Sequence, residues 1–211
     1  MTELSRGTLK SSAGFLRASC DGYIIDPRAF FFEELMASFT SASAELSLGA
    51  PAALPLAALD PPQMLIGLLM APDQFGRWYS PIAGKTRLQK EAFLLTKETG
   101  AGRAGTFRVI FRPDSYGPFA PDLAEALDKL LSTHLVRQSG AGPSQEYSLT
   151  DEGRNAAIHL WKEKFTQQVR EAFYAVKSNY NEWNLTNLLS YVYSTYPALT
   201  TRSSIRDEVL R

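Results

Sequence analysis

The chain has 211 residues, 45% of them apolar, with 12 Phe, 9 Tyr and 3 Trp, enough for one cored domain with appendages. Its 22 basic and 22 acidic side chains cancel, which removes any global pull toward nucleic acid or acidic membranes. Cys20 is the one cysteine, so an internal disulfide and a cysteine-based metal cluster are excluded and a cytoplasmic setting fits best.

Residues 1–25 are polar and irregular, with no signal-peptide pattern expected. Asp26-Pro27 reads as a helix start, followed by Phe32, Leu35, Met36 and Phe39 on one face. Residues 41–60 are rich in Ala, Pro and Ser and read as a linker, so 1–60 is taken as an N-terminal arm. From Pro61-Pro62 the pattern tightens, and Met64 to Met70 predicts a short buried helix. A second helix is expected over Thr86 to Glu98, with Leu88, Ala92 and Leu95 as its core stripe. Arg87, Lys90 and Lys97 fall on a different arc, beside Glu91 and Glu98. Residues 106–111 alternate, with Phe107, Val109 and Phe111 on one face, and predict a strand. Pro113 to Pro121 reads as a turn. Pro121 and Asp122 open a third helix with Leu123, Leu127, Leu130 and Leu131 buried.

Leu135 to Gln138 and Glu146 to Leu149 form a hairpin across a Ser/Gly/Pro loop. Thr150 caps a long helix running to about residue 178, roughly 28 residues or about 42 Å. A last helix spans about 182–196, with Leu185, Leu188, Leu189 and Val192 inward. Ser204 and Asp207 have capping-box spacing for a terminal turn. No run is apolar and long enough to span a membrane.

These elements predict an α+β, mostly helical fold: a winged helix–turn–helix over 61–150, with a small antiparallel sheet, and a helical C-terminal extension over 151–211. The expected sheet joins 106–111 to the hairpin 135–149. On these terms, a 106–111 segment lying apart from the hairpin removes the assignment.

Lys-Thr-Arg-Leu-Gln-Lys-Glu-Ala-Phe-Leu-Leu at 85–95, Tyr-Gly-Pro-Phe-Ala-Pro-Asp-Leu at 116–123 and Tyr-Ser-Leu-Thr-Asp-Glu-Gly at 147–153 carry a resemblance. The chain is similar there, over residues 62–200, to a bacterial and archaeal group of small winged-helix predicted regulators, close in layout to Panacea-type antitoxins. The resemblance implies a DNA-binding regulator or an antitoxin-like interaction module. It implies no catalytic residues.

Two functions follow as expectations. The first is a DNA-binding regulator, acting as a homodimer. Charge favours it weakly: residues 77–178 hold 15 basic and 11 acidic side chains, against 4 and 8 in residues 1–76. The third helix turns Asp122, Glu125, Asp128, Lys129 and Ser132 outward, and three carboxylates repel phosphates. The phosphate contacts are therefore expected from Arg87, Lys90 and Lys97, helped by Arg77, Lys85 and Arg137. The bland alternative is a solvated face in which Arg87 and Glu91 form an i, i+4 pair. The second function is a non-catalytic protein-interaction module that does not read DNA. Trp161, Phe165, Phe173, Val176 and Trp183 are either core or a dimer or partner interface, since an apolar stripe of that length exceeds what a small domain covers.

No enzyme chemistry is expected. His134 and His159 lack a nucleophile or metal-ligand partner, so each reads as an ordinary helix residue. Gly84-Lys85-Thr86 lacks the upstream glycine of a phosphate loop, because position 79 is Tyr79 and position 80 is Ser80. No metal or cofactor is expected.

Overall fold

The computed structural model describes residues 58–210. The helix expected after Asp26, Cys20 and most of the Ala/Pro linker lie outside the described residues. Within them the protein is α+β and mostly helical, with eight α-helices and two small antiparallel sheets.

Asp60 starts the first helix, α1 (Pro61–Met70). Its side chain accepts the Gln63 amide while the Gln63 side chain accepts the Asp60 amide, a reciprocal cap. Met64 to Met70 are all buried, as the apolar run implies. A two-residue strand, β1 (Ile82–Ala83), leads into α2 (Gly84–Glu98), and α3 (Gly100–Arg103) turns the chain. Thr99 caps α3 by accepting the Gly102 amide at 3.0 Å.

Residues 106–111 do not form the expected strand. Phe107 makes one isolated parallel bridge to Leu59. The in-out alternation is nevertheless real: Phe107 is buried and Val109 and Phe111 are half-buried, while Arg108 and Ile110 are exposed. The inward side chains are met by rings. Phe107 lies 5.7 Å from Phe173 and Phe111 lies 5.2 Å from Phe93, centroid to centroid. Aromatic packing replaces the strand partner, so this segment lies apart from the 136–149 hairpin. The winged helix as the sequence drew it, with 106–111 in its sheet, is not formed.

The expected turn at 113–121 is instead a second hairpin, β2 (Arg112–Asp114) with β3 (Gly117–Phe119). Pro113 faces Pro118 across it, which two proline-bearing edge strands tolerate. Gly117 has φ +81°, and an added Cβ would sit 2.7 Å from Tyr193, so both conformation and space require glycine. The helix α4 (Pro121–Ser132) buries Leu123, Ala126, Leu127 and Leu130. Then β4 (Val136–Ser139) pairs antiparallel with β5 (Glu146–Leu149), Val136 opposite Leu149. The sheet is completed by β1, with Ile82 opposite Tyr147, giving the order β1-β5-β4.

The long helix expected from 151 is two helices, α5 (Asp151–Glu163) and α6 (Gln167–Tyr180). Thr150 caps the first through the Gly153 amide, and Thr166 caps the second through the Val169 amide. Between them the Phe165 amide reaches back to Leu160 O at 3.0 Å, and the Phe165 side chain turns inward. The break lets Trp161, Phe165 and Phe173 meet one another: Phe165 is 5.8 Å from Trp161 and 5.2 Å from Phe173. A stripe that one straight helix cannot bury is thus buried within a single chain.

The helix α7 (Leu185–Thr195) buries Leu188, Leu189, Val192 and Tyr193, but Leu185 is exposed rather than inward. The terminal helix α8 (Arg206–Val209) has no side-chain cap, and the Ser204 hydroxyl donates instead to Ser115 O at 3.2 Å. The described residues belong to one compact unit, with α5 and α6 packed on α1 and α6 on α2. Among them no helix is long and apolar enough to cross a membrane.

Candidate functional site

The cations expected to meet phosphate do not form one surface. Arg87 is 5% exposed and Lys90 is 2% exposed. The reason is the position of α2. It packs against β1, β3, α1, α3, α6 and α7, so from Arg87 to Leu95 every residue is buried, not the apolar stripe alone. The Arg87 guanidinium donates to the carbonyl oxygens of Tyr180, at 2.9 Å, and Trp183. It therefore closes the end of α6 against α2. Lys90 Nζ donates to Pro118 O at 2.9 Å, tying β3 to α2. Both head groups donate to backbone carbonyls in the interior, so neither Arg87 nor Lys90 is placed on a surface that meets phosphate.

Arg77 is exposed but engaged twice. It donates to Asp73 Oδ2 at 2.7 Å and to Glu182 Oε1 at 2.8 Å, and its guanidinium lies 4.9 Å from the Phe75 ring centroid. Asp73 is fully buried and accepts the Phe75 and Arg77 amides as well. Burial pushes its carboxyl up, but these hydrogen bonds outweigh it and hold the acid below its ordinary range. The loop 73–77 is thus a structural clasp onto the α6–α7 connection.

Lys85 is exposed and lies 3.4 Å from Asp128 of α4. Arg137 is exposed on β4 and donates to Ser148 Oγ at 3.0 Å. Lys97 is exposed at the far end of α2, about 18 Å along the axis from Lys85. The outer face of α4 carries exposed Asp122, Glu125, Asp128, Lys129 and Ser132, three carboxylates against one cation. The loop 140–144 joining β4 to β5 is exposed and bears no charged side chain.

Of the expected interface residues, Trp161, Phe165, Phe173 and Val176 are all buried within the chain. They are core, and so are not available as a surface for self-association. Trp183 stays partly exposed, at 38%. His159 is exposed and lies 2.9 Å from Glu163 Oε1, and His134 is exposed with φ +57° where α4 ends.

Two polar clusters were not legible in the sequence. Glu91 is 0% exposed on α2, and neither carboxylate oxygen has a hydrogen-bond partner among the described residues. Burial lifts its acid to about pH 7, against the pull of Lys177 and Arg87. Lys177, fully buried on α6, donates to Ser80 O at 2.9 Å. Burial lowers its amine to about pH 8, with Glu91 the main opposing influence. The second cluster gathers three tyrosines on one carboxylate. Tyr191 donates to Glu98 Oε1 at 2.9 Å and Tyr196 to the same oxygen at 3.1 Å, while Tyr180 donates to Oε2. Burial and the Glu98 charge push the Tyr196 phenol up to about 12, and Tyr180 rises for the same reasons. This cluster joins α2, α6 and α7.

No protein-family model matches this chain, and no curated protein matches it. What the surface can do rests on its own chemistry. The buried clusters are fastenings between elements. Among the described residues the acidic side of α4 and the neutral β4–β5 loop are exposed.

Proposed function

We propose that residues 61–150 are a variant winged-helix arrangement, with β1 rather than 106–111 beside the hairpin, used as a non-catalytic protein-contact module. The order of elements supports the arrangement: a helix, a short strand, two helices and a two-stranded hairpin. The third place in the sheet is taken by Ile82–Ala83, where the sequence had suggested 106–111. The α3 turn and the β2–β3 hairpin are then an insertion between the second and third helices of the motif.

The observation that carries the protein-contact reading is the charge of α4. In a winged helix the third helix is the one that normally enters the major groove. Here it presents Asp122, Glu125 and Asp128 to solvent. Phosphate contact supplies nearly all non-specific affinity for DNA, and carboxylates oppose it. The same face complements a basic protein surface.

A DNA-binding regulator is the second reading, favoured by the same arrangement and by exposed Lys85, Lys97 and Arg137. Cross-linking followed by affinity capture separates the two. The wild-type chain is compared with an Asp122→Lys, Glu125→Lys, Asp128→Lys variant. Retention of a protein by the wild type and its loss in the variant is expected. Equal retention by both, or salt-sensitive capture of DNA by the wild type, overturns the protein-contact reading.

A further inference from the structure

A cavity of about 120 Å³ lies between α2 and the β2–β3 hairpin. Its polar rim includes Lys85, Lys90 and Asp114, and Tyr116 and Phe119 stand on its hairpin side. Gln89 also borders it but is already committed. Its amide donates to Ala120 O at 3.1 Å and accepts the Ala120 amide at 3.0 Å.

Lys90 is the unusual member. An ammonium carries three donors. Among the described residues Lys90 Nζ makes one hydrogen bond, to Pro118 O, although the side chain is 2% exposed. Burial lowers its amine to about 8, Asp114 opposes that from the cavity rim, and no ion pair joins the two among the described residues. Burying an ammonium with donors unspent is costly unless an acceptor meets them. The space admits several waters, or one small polar head group with a methylene or two.

We propose that this cavity is a carboxylate-binding site, in which Lys90 and Lys85 hold the anion against the Tyr116 and Phe119 rings. Lys85 already faces Asp128 in an exposed, weak contact, so Lys90, with two donors unspent, is the cation that selects the ligand, and a monoanion adds the least charge beside Asp114. A phosphate dianion would face Asp114 with its charge unbalanced. An amine ligand would meet two cations. The inference is independent of what α4 binds. The carboxylate belongs either to an acidic side chain of a protein or to a free small acid, and the two arms of the test below distinguish them.

The test is an NMR titration of the full chain. The probes are N-acetyl-glutamate N-methylamide, its glutamine counterpart, and propionate. Saturable amide shifts at Lys85, Thr86, Gly117 and Phe119 are expected with the glutamate probe, and binding at least about tenfold weaker with the glutamine probe. Asp114→Asn should tighten binding, since it removes the carboxylate that lines the cavity without touching Lys90. Lys90→Met should abolish it. Propionate binding as tightly as the blocked glutamate assigns the site to free acids, and tighter binding of the blocked glutamate assigns it to side chains. Three results overturn the proposal: no saturable shift with either carboxylate at about 100 mM, equal shifts with the glutamine probe, or weaker binding in Asp114→Asn.

Discussion

Replacing Glu91 by Gln should change how stability depends on pH more than stability itself. In the folded chain the Glu91 carboxyl keeps its proton until about pH 7, because it is fully buried between Lys177 and Arg87 with no hydrogen-bond partner for either oxygen. In the unfolded chain it ionises near 4.5. Between these values the folded state holds the extra proton, so stability falls as pH rises from about 4.5 to about 7 and levels off above. A displacement from 4.5 to about 7, at 1.36 kcal/mol per pH unit, corresponds to about 3 kcal/mol. Glutamine has the same shape and does not titrate.

The charged groups that bear on Glu91 are Lys177 of α6, Arg87 of α2 and Glu182 of the α6–α7 connection. Removing the carboxylate also takes from Lys177 its main anionic neighbour, which offsets part of the gain in absolute stability above pH 7. The pH-dependent difference is therefore the quantity to read. Urea denaturation of both proteins at intervals from pH 4.5 to 7.5 supplies it, with titrating groups outside this cluster cancelling in the subtraction. The wild type should lose about 3 kcal/mol relative to Glu91→Gln across that range. Parallel curves, separated by a constant amount, would mean that Glu91 is solvated or paired and that the account of this cluster is wrong.

Other perturbations have definite outcomes. In Gly67→Ala the new methyl meets the Phe173 ring at 2.3 Å, so α1 and α6 must separate; a loss of roughly 1–3 kcal/mol in urea unfolding is expected, and wild-type stability would refute that contact. Trp161→Ala should cost about 3–5 kcal/mol, while light scattering gives the same mass as the wild type, because the ring is core; a change of mass with little loss of stability would restore the interface reading. Glu98→Gln replaces an anionic acceptor of three tyrosine hydroxyls and should cost roughly 1–3 kcal/mol; no measurable change would mean those bonds form equally well with water.

The elements that sequence predicted well are those whose signals are local. Pro61-Pro62 mark the start of α1, Thr150 the start of α5, and the leucine spacing of α4 gives its buried face. The hairpin 136–149 also lies where expected. The failures share a different cause. Arg87 and Lys90 sit on a polar arc of α2, and on a wheel such an arc reads as solvated. Both are buried because their acceptors come from distant segments: Arg87 from a residue 93 positions away, Lys90 from one 28 away. Periodicity along one helix carries no information about those carbonyls. The 151–178 stripe was read as one rod because Lys164, Phe165 and Thr166 contain neither Gly nor Pro. Only the capping hydroxyl of Thr166 marked the break, and the packing of Phe165 on Phe173 rewards it. Strand 106–111 was misplaced because alternation reports which side faces inward, and aromatic rings can line that side as well as a sheet can.

The most direct test of the protein-contact reading is a fluorescence anisotropy titration of labelled genomic-sequence duplexes with the full chain at low salt, where electrostatic binding to DNA is strongest. The acidic outer face of α4 and the burial of Arg87 and Lys90 predict no rise in anisotropy at tens of micromolar protein, roughly the range of non-specific binding. A saturable rise that weakens steeply with added salt, and that falls on replacing Lys85 and Arg137 by Ala, would contradict it and return the chain to the DNA-binding regulators.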